Sequence, residues 1–186
     1  GLFADGGKTW VGQNIKYDLM MLRWYEVEVK GPMFDTMIAH YLLEPDMRHN
    51  MDLLAEVYLQ YKTVKIDSLI GSKKSTQISM REVEIDLVKD YAAEDADITL
   101  QLQLDFEPKL QQSHLMKLFE EVEMPLIPVL ASMETEGVAI DPSALHEFSK
   151  QLELEIEEAE KLIYASAGMK FNISSPRQLG EVLFEV

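Results

Sequence analysis

The apolar spacing between Ser79 and Gln112 constrains the fold more than any other feature of the chain. Val83, Leu87, Tyr91, Ile98, Leu102 and Phe106 recur at helical intervals and define one face to be buried. Ser79 and Glu82 have the S-x-x-E spacing of a capping box, so the helical region is predicted to start there and run to about Gln112. Such a helix needs a layer to pack on, because its stability comes from burying the apolar face. The preceding residues supply that layer. "KTWVGQN", Lys8 to Asn14, reads as a short strand ending in a Gly-containing turn. A helix follows over roughly Lys16 to Tyr25, with Tyr17, Met20, Met21 and Trp24 on one face. "VEVKGPMFD" alternates Val27 and Val29, turns at Gly-Pro and supplies a second short strand. Asp35 is placed to cap the next helix, which carries Met37, Ile38, Tyr41 and Leu42 and ends at Pro45. "MDLLAEVYL" predicts another short helix, and residues 61–79, polar and aperiodic, predict a mobile loop.

A second compositional unit begins near Leu118. "EMPLIPVLASMETEGVAID" predicts a helix broken by two prolines, a turn at Gly137 and a short strand from Val138 to Ile140. Asp141-Pro142 is an N-cap followed by a first-turn proline. The helix after it is periodic at Leu145, Phe148, Leu152, Ile156, Ala159 and Ile163, has an acidic outer face and closes at Gly168. Ser175 and Gln178 form another capping box and open a final helix. The pattern predicts an α/β first unit and a helical second one.

Composition narrows the chemistry. The chain has 186 residues and no cysteine, which removes disulfides, thiolate nucleophiles and Cys-type zinc sites. Its formal charge of −16 makes it a poor general binder of polyanions, so any contact with nucleic acid must be local or metal-mediated. No apolar run reaches the roughly 18 residues that span a bilayer, and no signal peptide is visible. The start "GLFADGG" and the apolar end "EVLFEV" read as the cut ends of a longer protein.

Two short stretches carry candidate chemistry. In "GQNIKYD", Gly12 and Asn14 suit a tight strand-to-helix junction, and Asp18 lies one turn into the helix. Taken alone, it is an ordinary first-turn acid beside the helix N-terminus. In "YAAEDAD", Tyr91 and Asp95 stand at i and i+4 and share a helix face, beside Glu94 and Asp97. Either Tyr91 is core and the acids are solvated surface, or phenol and carboxylate hold a water, with or without a metal. Together the stretches say more. Mg²⁺ takes one or two carboxylates plus waters and substrate phosphate. Two-metal phosphodiester chemistry needs carboxylates converging from separate elements.

At these residues the chain resembles the bacterial DNA polymerase I family (family A DNA polymerases) over about 170 residues. "GQNIKYD" resembles the second exonuclease motif, N-x-x-(F/Y)-D, with Asn14, Tyr17 and Asp18 in the key places. "YAAEDAD" resembles the third, Y-x-x-x-D, with Tyr91 and Asp95. "FDTMIAHYLLEPDMRHNMDLLAEVYL" between them matches in character and spacing. "EMPLIPVLASMETEGVAIDPSALHEFSKQL" and "FNISSPRQLGEVLFE" resemble the segment leading into the polymerase domain. The resemblance implies a partial ribonuclease H-like 3′-5′ exonuclease domain over residues 1–117 and the start of the polymerase domain over 118–186. It implies two Mg²⁺ or Mn²⁺ ions, with Asp95 holding the ion of the attacking water, Tyr91 orienting that water, and Asp18 holding the ion beside the leaving 3′ oxygen. Asn14 and Tyr17 would contact DNA, and Glu94 and Asp97 would be solvated acids.

The family's first motif, D-x-E, is not found upstream of Gly12, where Asp5 stands without an acid two positions on. The polymerase motifs are absent as well. The resemblance therefore implies a parent acting in DNA replication and repair, a cytoplasmic nucleotidyltransferase with proofreading. Its partners would be a DNA 3′ end and a nucleoside monophosphate product. The chain alone is expected to be inactive. The alternatives are a non-catalytic structural or DNA-binding module with a degenerate exonuclease fold, or a homologue that has lost proofreading. Arg48, Lys73 and Lys74 are the nearest basic candidates for the DNA backbone, each equally at home as solvated charge. The apolar stripe after Pro142 leads to an expected homo-oligomer.

Overall fold

The computed structural model describes residues 1–184 and divides into two compact units, 1–137 and 138–186. This division by compactness falls elsewhere than the expected domain boundary at 117/118. The stretch 181–186 is described only through Phe184.

The first unit holds a two-stranded parallel sheet, β1 (Trp10–Gly12) and β2 (Met33–Asp35), in the register Trp10↔Met33, Val11↔Phe34 and Gly12↔Asp35. Parallel strands need a crossover, and α1 (Ile15–Trp24) provides it. After β2 come α2 (Thr36–Leu43), α3 (Met51–Leu59) and α4 (Ile66–Ile70). The long helix α5 (Ile85–Gln112) packs on α2, α3 and β1. The chain then turns into α6 (Met116–Leu118), a π turn (Phe119–Glu123) and α7 (Met124–Glu136), which packs on α1. Phe34, Leu54, Ile98, Leu102, Phe106, Leu110, Phe119 and Ile127 form the core. Each such side chain contributes about 1.5–3 kcal/mol by leaving water.

Several local expectations change. Val27 and Val29 form no strand, since Glu26 takes a left-handed φ of 57° and turns the chain away. The face of α1 carrying Tyr17, Met21 and Trp24 is the exposed one, with Tyr17 58% and Trp24 74% accessible, while Ile15 and Leu19 meet the core. The loop 61–79 contains α4 and a turn of 3₁₀ helix. The Ser79–Glu82 capping box is formed, but it opens a single 3₁₀ turn (Met80–Glu82), and α5 begins at Ile85. Burial along α5 starts only at Ile98; Leu87 is exposed, and Leu110 extends the stripe. The prolines do not break their helix. Pro125 lies at its start, where the π turn just upstream leaves room for its ring and missing amide, and Pro128 lies within the helix.

In the second unit α8 (Pro142–Ala167) has the expected ends. Asp141 Oδ1 accepts the Ser143 and Ala144 amides at 2.9 and 3.1 Å, and Gly168, at φ 69°, closes the helix in a conformation that a side chain would strain. Val138 to Ile140 forms no strand, and none lies beside it among the described residues. The stripe expected to be buried is not: Leu145, Phe148, Leu152 and Ile156 stay 38–56% exposed. The last helix is α9 (Pro176–Phe184). Ser175 Oγ accepts the Gln178 amide at 3.4 Å, but the Gln178 side chain reaches past Ser175 to the Asn172 amide at 2.7 Å, so the capping box is only half made.

Candidate active site

The first half of the site is the junction between β1 and α1. Gly12 is required there, because a Cβ would lie 2.9 Å from Ile15 Cβ and Cγ1. Asn14 then takes a left-handed turn, at φ 62°, and does not cap α1 with its own side chain. The cap comes from Asp35, twenty residues on. Its Oδ1 accepts the amides of Asn14 (3.2 Å), Met37 (2.8 Å) and Ile38 (3.3 Å), and its Oδ2 accepts that of Ile15 (2.8 Å). One carboxylate, 1% exposed, thus joins the starts of α1 and α2. The sequence pattern pointed to the second helix alone. Thr36 adds bonds to the Gly12 carbonyl at 3.1 Å and to the Gln13 side chain, whose amide donates to the His49 carbonyl at 2.6 Å.

Asp18 projects from the first turn of α1, with half-buried Leu19 beside it. Desolvation pushes its carboxyl above the usual range, and the Asp35 charge adds to that. Asp35 is itself pushed up by burial, against the four amides that pull it down. Asn14 is half-buried and Tyr17 stands in solvent on the same turn.

The second half lies on α5. Tyr91 and Asp95 stand one turn apart on the same face of α5, close enough for each to shift the other's titration. Burial and the Asp95 charge hold Tyr91 above the ordinary phenol value, so it is a proton donor at neutral pH. Asp95 is raised by desolvation, with Glu94 and Asp52 adding their charge and Tyr91 opposing. Glu94 is not a free solvated acid. It accepts the Tyr61 hydroxyl at 2.7 Å and the Val64 amide at 2.8 Å, clasping the chain after α3 onto α5. Asp97 does stand in solvent, bonded to Gln101 one turn on at 2.6 Å.

The structure therefore brings Tyr91 and Asp95 together and sets Asp18 on a separate helix, where Asp35 is its charged neighbour. Among the described residues no group of three His, Asp or Glu side chains is arranged to hold a metal ion. Arg48 lines a polar groove of about 330 Å³ with Lys62 and Lys65, beside Asp52 and Thr63, and Lys73 and Lys74 are exposed. The sequence pattern also gave no hint of a polar cluster around the buried His40. His40 bonds His49 ring to ring (Nδ1···Nδ1 2.7 Å) and Tyr58 through Nε2 (3.0 Å). Only long-range packing brings those three together.

Residues 1–111 match the family model of the 3′-5′ exonuclease of family A DNA polymerases, and the chain belongs to that family. It is 39% identical over 184 residues to DNA polymerase I of Rhizobium leguminosarum, covering 98% of this chain and 18% of the relative. It is 36% identical over 188 residues to DNA polymerase I of Pseudomonas aeruginosa, covering 99% and 20%. The chain thus spans about a fifth of the length of these curated relatives. Its fold is similar to that of the POL domain of Pol1 from M. smegmatis in complex with DNA primer-template and dNTP. There the TM-score is 0.76 at 24% identity, over 99% of this chain and 29% of that one.

Proposed function

We propose that this chain supplies Asp18, Tyr91 and Asp95 to the 3′-5′ exonuclease site of a proofreading DNA polymerase that acts in DNA replication and repair. The pairing of Tyr91 with Asp95 on one face of α5 carries the proposal. A solvated acid has no need of a half-buried phenol beside it.

The residues fit a hard divalent cation, Mg²⁺ or Mn²⁺. Asp18 and Asp95 offer carboxylate oxygens, and each sits in negative potential from neighbouring acids, Asp35 beside the first and Glu94 and Asp52 beside the second, that a cation would relieve. When bound, such ions make water a nucleophile at neutral pH and stabilise the leaving 3′ oxygen. The protein groups do the rest. Tyr91 faces Asp95 and orients a water held between them. It is no general base, since its hydroxyl loses its proton only above the ordinary phenol range. Tyr17, in solvent one residue from Asp18, offers a face on which a terminal base stacks, and Asn14 offers an amide to the strand. The ligands are a single-stranded DNA 3′ end and the nucleoside monophosphate released from it. Among the described residues no helix is long and apolar enough to cross a membrane.

The chain by itself is expected to leave DNA intact, because Asp18 and Asp95 give each ion a single carboxylate. Losing one preorganised electrostatic contact commonly costs about 10²–10³ in rate. The test uses end-labelled single-stranded DNA with Mg²⁺ or Mn²⁺. Joined to a segment bearing the D-x-E motif, the chain should shorten DNA from the 3′ end, and Asp18→Ala and Asp95→Ala should each abolish this. Shortening that survives both substitutions overturns the assignment. No shortening at all by the joined protein, with its fold intact, favours the non-catalytic module.

A further inference from the structure

We propose that Asp35 is a positioning residue for the cation-binding carboxylate of Asp18, fixing where α1 begins and so where its first turn presents that side chain. The inference rests on the reading of Asp18 as a metal ligand.

Four backbone amides converge on Asp35: Asn14 and Ile15 from the start of α1, Met37 and Ile38 from the start of α2. The first amides of a helix have no partner within it, and those at a buried end need one. Asn14 is in a left-handed turn and gives α1 no cap, so nothing local fixes the angle at which the helix leaves β1. Asp35 fixes it from outside. It is anchored on β2, directly opposite Gly12 in the sheet register, and is almost wholly buried. The contact of Gly12 with Ile15 and the Thr36–Gly12 bond close the same junction from its other sides. Asp18 is four residues past Asn14, within the turn whose amides Asp35 holds. A shift of that turn moves the carboxylate with it.

Both oxygens of Asp35 are used, one on Ile15 and the other on Asn14 and α2. An amide in its place has one acceptor oxygen, and its NH₂ group faces a backbone N–H. Asp35→Asn therefore keeps the size of the side chain and loses one arm of the clamp. Asp35→Ala loses both.

The experiment titrates the ¹⁵N-labelled chain with Mg²⁺ alone, a diamagnetic ion whose effect stays local, and follows the amide shifts next to Asp18 and, separately, those next to Asp95. In the wild type both sets should shift, and Asp18→Ala should remove the first only. Asp35→Ala and Asp35→Asn should raise the Mg²⁺ concentration needed to shift the Asp18 set by about tenfold or more, equivalent to losing one hydrogen bond to a charged group. The Asp95 set should respond as in the wild type, which also shows that the fold is kept. An unchanged Asp18 response in a folded Asp35→Asn chain overturns the proposal. So does an equal loss in both sets, which makes Asp35 a general stabiliser. If the wild type shows no shift that Asp18→Ala removes, the metal assignment itself fails, and with it this one.

Discussion

Tyr61 donates its hydroxyl proton to Glu94 Oε1 at 2.7 Å, across 33 residues of sequence, while the second oxygen of Glu94 holds the Val64 amide at 2.8 Å. Of the three acids in "YAAEDAD", one is thus a clasp, one faces Tyr91 and one is solvated. Glu94→Ala should free the chain at 61–64, with Val64 amide exchange rising roughly tenfold. Tyr61 should titrate lower, since its bond to Glu94 is the largest cause of its upward shift. Asp95 should titrate lower too, having lost one of the charges that push it up. Exchange and pH titration by NMR check all three.

His40 gives the chain a pH dependence. It is fully buried against His49, Tyr58 and Phe106, with Glu44 and Lys109 as the further charges that act on it. Burial, then the His49 charge, lowers its pKa below the ordinary histidine value. The unfolded chain therefore takes up a proton that the folded one refuses. Stability is complete above the ordinary value of about 6.5 and is lost as pH falls toward the depressed one, by up to about 1.4 kcal/mol per pH unit. His40→Gln should flatten that slope in urea melts. Asp18, Asp35 and Asp95 have raised pKa values and the opposite sign, losing stability as pH rises through the raised values, and they are common to both chains.

At Gly12 the expectation is steric. Gly12→Ala places a methyl group against Ile15 and should cost about 1–3 kcal/mol in denaturant unfolding, as overpacking does.

What sequence reveals here is what a residue does for its own helix. Asp141 and Ser79 cap the residues that follow them, and their spacing announces it. Asp35 does the same for α2, but its hold on α1 spans twenty residues and leaves no local pattern. The apolar residues of α1 mislead for a related reason. Both sides of that helix are apolar, and only packing on α7 shows that Ile15 and Leu19 point inward while Tyr17 and Trp24 do not. Tyr91 and Asp95 were legible because four residues of helix bring them together without help. The strand expected at Val138–Ile140 has the right residues and no neighbour to pair with.

The apolar stripe of α8 should bring two copies of this chain together. Exposed apolar surface of a few hundred Å² drives association. Sedimentation at high concentration should show a dimer or larger species, and Phe148→Glu with Leu152→Glu should return it to a monomer. A monomeric wild type contradicts this.

The central claim is that Asp18 and Asp95 serve one site, and a distance tests it. Ions about 3.5–4 Å apart, each bound at about 2 Å, require the two carboxylates to lie within about 8 Å. The chain has no cysteine, so Asp18→Cys with Asp95→Cys creates its only thiols. A bifunctional thiol reagent of about 8 Å reach, matched to that span, should link them within one chain in high yield. The same reagent should fail with Asp18→Cys paired with Asp97→Cys, which points away from Tyr91. Efficient linking of the first pair alone is the expected result. Equal linking of both pairs, or of neither in a folded chain, contradicts the shared site.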